Sequence, residues 1–268
     1  VILALTTDFG LRDGYVAAMK GVVLARASAG VQLVDVTHDL DPGDIGGGAA
    51  VLAAVAPHFP PSRTVHLVVV DPGVGSSRRL LAVRCAFGLA VGPDNGVLTP
   101  LLAASGEAWA IERVELFLAA PGHTFHGRDR MAPVAAWLLD GGRPDELGPR
   151  CLDPVLLEVP RPRSGPDPAT WLARVEHVDR FGNLITNLIP AELPGRPRAA
   201  RIDTHETATW VDCYADLDPG QPGMLISSNG CLELALCGQS LAQAWGVARG
   251  AEVVVRVIPG EGTEGQRD

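Results

Sequence analysis

Apolar residues in the first part of the chain form short unbroken runs that alternate with stretches of helical spacing. Val1–Leu5 is apolar throughout, as a strand buried on both faces requires, and it stops at T-T-D-F-G, where Asp8 and Gly10 turn the chain. Residues 13–28 then place Tyr15, Val16, Met19, Val22 and Val23 at helical spacing. Residues 31–36 read as a second strand, D-P-G-D at 41–44 as a turn and helix start, and 45–55 as a helix of small residues. The strongest strand covers 65–70 and ends at Asp71. Residues 80–85 and 89–91 read as a hairpin closing on G-P-D-N-G at 92–96. A helix over 98–104, a strand over 108–114 and a helix over 130–139 complete the series. This alternation predicts an α/β domain with a mostly parallel sheet flanked by helices. Ligands bind such sheets beyond the carboxyl ends of the strands, and Asp8 and Asp71 both stand there.

The pattern changes after Cys151. Residues 160–168, P-R-P-R-S-G-P-D-P, have the composition of a linker. Short strands separated by turns follow at 172–178, 184–188, 208–213, 224–226, 232–236 and 252–257, with helical spacing only over 241–247. These predict a smaller C-terminal β domain resembling a barrel. The expected division is residues 1–158, a Pro-rich linker over 159–168, and 169–268, with a frayed polar tail over 260–268.

Composition narrows the function classes. A chain that is 47% hydrophobic and 20% charged is that of a globular protein, and a net charge of -9 argues against non-specific nucleic-acid binding. Lys20 is the only lysine among the cations. The five cysteines are odd in number and share no C-x-x-C spacing, which disfavours a zinc site or disulfide framework and fits a reducing cytoplasm. No basic segment precedes the first apolar run and no run reaches membrane length, so a soluble cytoplasmic protein is expected.

Several motifs carry candidate chemistry, each with a plainer reading beside it. G-V-G-S-S-R-R at 73–79 follows a strand but lacks the Lys-Ser/Thr ending of a phosphate loop, and G-G-G at 46–48 lacks the dinucleotide fingerprint. His123, His126 and Asp129 have a spacing that could ligate a metal; alternatively Asp129 caps the next helix and His123 is exposed. Asp8 and Asp71 serve equally as turn residues, and Arg78 and Arg79 as solvated cations. D-R-F-G-N at 179–183 and S-S-N-G at 227–230 read as hairpin turns. Asp71, Arg78 and His126 together offer an acid, a permanent cation and an imidazole, and spacing leaves open whether they meet.

Taken in order, T-D-F-G, V-D-P-G-V-G-S-x-R, G-P-D-N-G-x-L-T, T-F-H-G-R-D, D-x-F-G-N-x-x-T-N and S-S-x-G-x-L-E resemble the S-adenosylmethionine hydroxide adenosyltransferase family, whose relatives include fluorinating and chlorinating enzymes. The resemblance spans about residues 2–257. It implies hydrolysis of S-adenosylmethionine to adenosine and methionine by water attacking C5′, with no cofactor and no metal. It also implies a homotrimer holding substrate between the N-terminal domain of one subunit and the C-terminal domain of its neighbour. Through it Asp71, Arg78 and His126 become the catalytic group, Asp8 a ribose contact and Phe125 the ring beside the nucleophile. Asp179 and Ser228 fall at the methionine end, and Asn183, Ser228, Glu233 and Leu236 at adenosine. The halogenating relatives carry Tyr where this chain has Asp71 and His126, which disfavours halide chemistry. Gly127 replaces a Ser of the fluorinating enzyme, and Cys231 stands where an aromatic is common. Alternatives from other classes are a chloride-using halogenase, a non-catalytic sensor of S-adenosylmethionine or adenosine, and a metallohydrolase using His123, His126 and Asp129.

Overall fold

The computed structural model describes residues 1–28, 30–120, 122–158 and 160–259; the expected tail over 260–268 lies outside them. The chain divides into two compact units, within Val1–Glu158 and Val159–Asp268.

In the first unit the elements are β1 (Ile2–Thr7), α1 (Tyr15–Arg26), β2 (Gln32–Thr37), α2 (Ile45–Val55), β3 (Thr64–Val69), β4 (Leu80–Cys85), β5 (Gly88–Pro93), α3 (Thr99–Ala103), β6 (Glu107–Ala110), α4 (Ala132–Leu139) and β7 (Arg150–Cys151). The sheet order is β2-β1-β3-β5-β4-β6-β7. β2, β1, β3 and β5 run parallel, while β4, β6 and β7 are added antiparallel. The sheet is therefore mixed rather than mostly parallel. Its cause is the hairpin itself: a tight β4–β5 turn reverses the chain, whereas a parallel neighbour needs a crossover.

Strand β3 shows why the core has two layers. Val65, Leu67 and Val69 pack with Met19, Val23, Met131 and Val134 from α1 and α4 and the turn before α4. Val68 and the following Val70 face Leu52, Val97, Leu98 and Leu101 on the opposite side. Alternation by two on a strand covered on both faces buries every position, hence the largely apolar run, and the buried His66 within it pairs its ring with Phe87 O at 3.3 Å. The strand expected over 108–114 stops at Ala110, and the backbone turns at Val114–Leu116. Past Ala110 the partners change: Ile111 N–H bonds Leu80 O and Glu112 N–H bonds Leu147 O.

The second unit contains β8 (Arg163–Ser164), β9 (Thr170–Val178), β10 (Leu184–Thr186), β11 (Gly195–Ile202), β12 (His205–Thr207), β13 (Pro222–Ile226), β14 (Leu232–Leu236), α5 (Leu241–Trp245) and β15 (Glu252–Pro259). Its order is β12-β11-β15-β9-β10-β14-β13, antiparallel at every step, with β8 paired to β9. The two ends of the order meet: Thr207 Oγ1 donates to Pro222 O at 2.7 Å, and Val211 N–H bonds Met224 O at 3.0 Å. The sheet is thus a nearly closed, barrel-like one around Val175, Leu184, Met224, Leu234 and Val255. The strand expected over 208–213 is only a bridge at Trp210, with the true pairing segment at β12. Strand β11 was not expected. Its Pro197 and its outward Arg196, Arg198 and Arg201 disguise a run whose inner positions, Ala199, Ala200 and Ile202, are buried.

Candidate active site

Strand β3 delivers Asp71 to the carboxyl edge of the parallel half, where the chain makes two tight turns. Val74 N–H bonds Asp71 O at 3.2 Å, and Ser76 N–H bonds Gly73 O at 3.1 Å. Gly75 adopts φ +84°, and a Cβ there would come within 2.7 Å of His123 O, so only glycine lets this turn lie against the segment carrying His126. The turns return Arg78 to Asp71. Its Nε donates to Asp71 Oδ1 at 2.6 Å and its Nη2 to Asp71 Oδ2. The same Nη2 donates to His126 Nδ1 at 3.0 Å. The side chains of Asp71 and Arg78 are 4% and 9% exposed and His126 is 2% exposed, so the three groups form one nearly dry cluster.

His126 stands immediately before a π-helical turn, Gly127–Met131, that leads into α4. Single π turns recur at functional sites because they re-aim side chains within a helix. A Cβ on Gly127 would meet Val69 at 3.2 Å and the Met19 sulfur at 3.3 Å, so the absence of a side chain lets this turn sit close to β3. Because a guanidinium only donates, Arg78 fixes Nδ1 of His126 as an acceptor and puts the ring proton of the neutral form on Nε2. Burial, then the charges of Arg130 and Arg78, push the His126 pKa down to about 4. Its Nε2 is buried without a partner among the described residues, an N–H donor held ready.

Asp71 and His126 border a cleft of about 360 Å³ whose walls include Phe9, Tyr15, Val74, Thr124, Phe125 and Arg128. The rings of Phe9, Tyr15 and Phe125 meet edge to face or tilted with centroids 5.3 to 5.8 Å apart, and Arg128 lies 4.9 Å over the Phe125 ring. Asp8 occupies the neighbouring strand end, its Oδ2 accepting Gly43 N–H at 2.7 Å. The metal-ligand reading of His123, His126 and Asp129 meets a different geometry. Asp129 accepts from Arg128 Nε at 2.6 Å and from Gly122 N–H at 2.8 Å, so its carboxylate faces a cation and an upstream amide. Among the described residues no group of three His, Cys, Asp or Glu side chains could hold a metal ion.

The remaining predicted site residues lie in the second unit, in two groups. Asp179 closes the β9–β10 turn: its Oδ1 accepts Phe181 N–H at 2.9 Å and Asn183 N–H at 2.8 Å, and Oδ2 accepts from Asn183 Nδ2 at 3.0 Å. Gly182 in this turn has φ +83° and packs so closely on Ser240 that a Cβ would lie 2.0 Å from its hydroxyl. Glu233 and Leu236 are on β14, and Ser228 is exposed at the β13–β14 tip. Glu233 is 2% exposed, its carboxyl accepts Tyr214 O–H at 2.7 Å, and burial pushes its pKa up. Sequence reasoning missed Tyr214, Tyr15 and Phe9. A usable signal existed, because the chain has only two tyrosines and both stand beside a candidate group.

Comparison with known proteins matches the chain to one family. Residues 3–148 match the SAM hydroxide adenosyltransferase N-terminal domain, and residues 173–254 its C-terminal domain. The chain is 41% identical over 253 residues to an (R)-S-adenosyl-L-methionine hydrolase of Salinispora tropica, covering 92% of this chain and 95% of that one. It is 28% identical over 292 residues to a fluorinase of an Actinoplanes species, covering 95% and 97%. A crystal structure of an uncharacterized conserved protein from Thermotoga maritima superposes with a TM-score of 0.86 at 33% identity, covering 96% of this chain and all of the other. With both of its units matched in chain order, the protein belongs to the SAM hydroxide adenosyltransferase family.

Proposed function

We propose that this protein is an enzyme that hydrolyses S-adenosyl-L-methionine to adenosine and L-methionine. The observation that carries the reading is the dry Asp71–Arg78–His126 cluster at the cleft, with an unspent N–H on His126. The greater identity to a named hydrolase than to a fluorinase supports water over halide as nucleophile.

The sulfonium leaves as a neutral thioether, so the leaving group needs neither a general acid nor a metal. The demand falls on water, which must be aligned with C5′ and relieved of a proton. His126 Nε2–H holds the water oxygen, its ring fixed by the bond from Arg78. The Asp71 carboxylate takes the proton. Each of its oxygens receives Arg78 but keeps lone-pair capacity, and Arg78 balances its charge in the dry site. The carboxylate also favours the sulfonium electrostatically, and Phe125 packs beside the ribose. Asp8 binds the ribose. In the second unit Asp179 and Ser228 bind the methionine portion, and Asn183, Ser228, Glu233 and Leu236 the adenosine.

The reading extends to a cytoplasmic homotrimer of two-domain subunits, with each site completed by the neighbour's C-terminal domain and no cofactor beyond the substrate. Among the described residues no helix is long and apolar enough to cross a membrane. Incubation with S-adenosylmethionine and chloride, followed by chromatography, tests the reaction. Adenosine as product supports hydrolysis, 5′-chloro-5′-deoxyadenosine replaces it with halogenation, and binding without turnover reduces the protein to a sensor. Undiminished activity after chelation is expected, and sedimentation equilibrium reads the trimer.

A further inference from the structure

We infer that Thr7, His38 and Asp35 form a relay that positions the T-T-D-F-G turn for substrate, a role for three residues outside the catalytic group. Thr7 is fully buried and His38 is 5% exposed. Thr7 Oγ1 lies 2.8 Å from His38 Nδ1, and His38 Nε2 lies 2.9 Å from Asp35 Oδ1. Lys20 Nζ donates to the other Asp35 oxygen at 2.6 Å. At the inner end, Phe9 N–H donates to Thr7 Oγ1 at 3.3 Å.

With a neutral imidazole the donors in this chain have one consistent direction. Phe9 N–H occupies a lone pair of the Thr7 hydroxyl, and the hydroxyl proton goes to His38 Nδ1. The ring proton of the neutral imidazole then sits on Nε2 and is given to Asp35. The opposite tautomer would turn a bare lone pair towards a carboxylate. Lys20 anchors the outer end, so the run reaches from the half-exposed Asp35 to the backbone amide of Phe9, a residue of the cleft wall.

The topology accounts for the contact. β1 and β2 are neighbours, but their register moves from Leu5↔Asp35 to Thr6↔Thr37, leaving Val36 as an extra residue. Such a bulge re-aims the side chains that follow it, and His38 is the second residue beyond. His38 grips the turn twice, because its own carbonyl accepts Gly10 N–H at 2.7 Å. The turn so held carries Phe9, in the cleft wall, and Asp8, whose Oδ2 takes Gly43 N–H. With Oδ2 on Gly43 N–H, Asp8 Oδ1 is the oxygen left for a ribose hydroxyl. This inference rests on the proposed function for that last contact. The relay ends at the β1 turn and makes no bond to Asp71, Arg78 or His126, so it governs how substrate is held rather than the chemical step.

The test compares wild type with Thr7→Val, Thr7→Ser and Asp35→Asn, measuring kcat and KM for S-adenosylmethionine with melting temperature alongside. The near-isosteric Thr7→Val deprives Phe9 N–H and His38 Nδ1 of their partner, and KM rises about tenfold while kcat stays within about threefold. Thr7→Ser restores KM, and Asp35→Asn gives an intermediate rise. Unchanged KM in both Thr7→Val and Asp35→Asn, or a loss confined to kcat, overturns the relay. Nitrogen NMR of the His38 ring supplies an arm independent of turnover: wild type shows the Nε2–H tautomer, and an Nδ1–H tautomer overturns the relay. A wild type that makes no adenosine defeats the proposed function instead, and the NMR arm still decides the relay.

Discussion

Two buried carboxyls, Asp71 in the first unit and Glu233 in the second, meet opposite surroundings. Asp71 has a guanidinium on both oxygens within a cluster that includes an imidazole. Glu233 has a single phenol, Tyr214, and burial pushes its pKa up. A carboxylate that must stay charged to receive a proton needs a cation close by, because burying an unpaired charge is costly. A carboxyl proposed for recognition can rest on one hydrogen bond, with burial raising its pKa. Deep burial therefore does not single out the proposed catalytic base; the partner does.

Substitution is the sharpest way to break this contrast. Asp71→Asn is expected to lower kcat by about 10²- to 10⁴-fold. It also leaves Arg78 buried without its counter-charge, which costs on the order of 3–5 kcal/mol, so a thermal melt must accompany the assay. Arg78→Lys keeps the charge but not the fork that serves Asp71 and His126 together. Losing one such charged bond costs about 1.5–3 kcal/mol, or about 10- to 100-fold in kcat/KM.

The pH profiles of the two regions should have opposite signs. Because His126 is pushed down to about 4 from 6.5, the unfolded chain binds more protons than the folded one between those values. Stability from this group is intact above pH 6.5 and is lost as pH falls towards 4, and kcat/KM shows no fall at 6.5 attributable to His126. Glu233 is raised from 4.5, so its contribution declines as pH climbs above that value. Melting temperature across pH for His126→Gln and Glu233→Gln reads each sign, since each variant removes one slope. The smallest effects belong to the second unit: Tyr214→Phe loses one hydrogen bond, about 1 kcal/mol or about fivefold in KM, and Glu233→Gln changes kcat least of all.

Much of this site was legible in the sequence where it depended on local order, and hidden where it depended on pairing. Arg78 follows Asp71 by seven positions across glycines, a spacing that a turn can close. The contact with His126 spans 48 residues and needs the Gly75 turn laid against His123, which no spacing shows. Thr7 and His38 are 31 apart and meet through a bulge with no sequence mark. In the fold, β3 announced itself because a strand covered on both faces is mostly apolar, here at every position but Thr64 and His66. The hairpin of β4 and β5 was visible, but not its consequence, a sheet whose pairing beyond β5 is antiparallel at each step. Strand β11 escaped because Pro197 and three arginines occupy a run whose inner face is small and buried.

The central claim is that water held by Asp71 and His126 attacks C5′ of S-adenosylmethionine. Turnover of that substrate in heavy-oxygen water, with the adenosine examined by mass spectrometry, tests it most directly. The account predicts that wild type places the label in the 5′-hydroxyl of adenosine and that Asp71→Asn forms almost none. Adenosine without label, or labelled adenosine formed equally fast by Asp71→Asn, would contradict it.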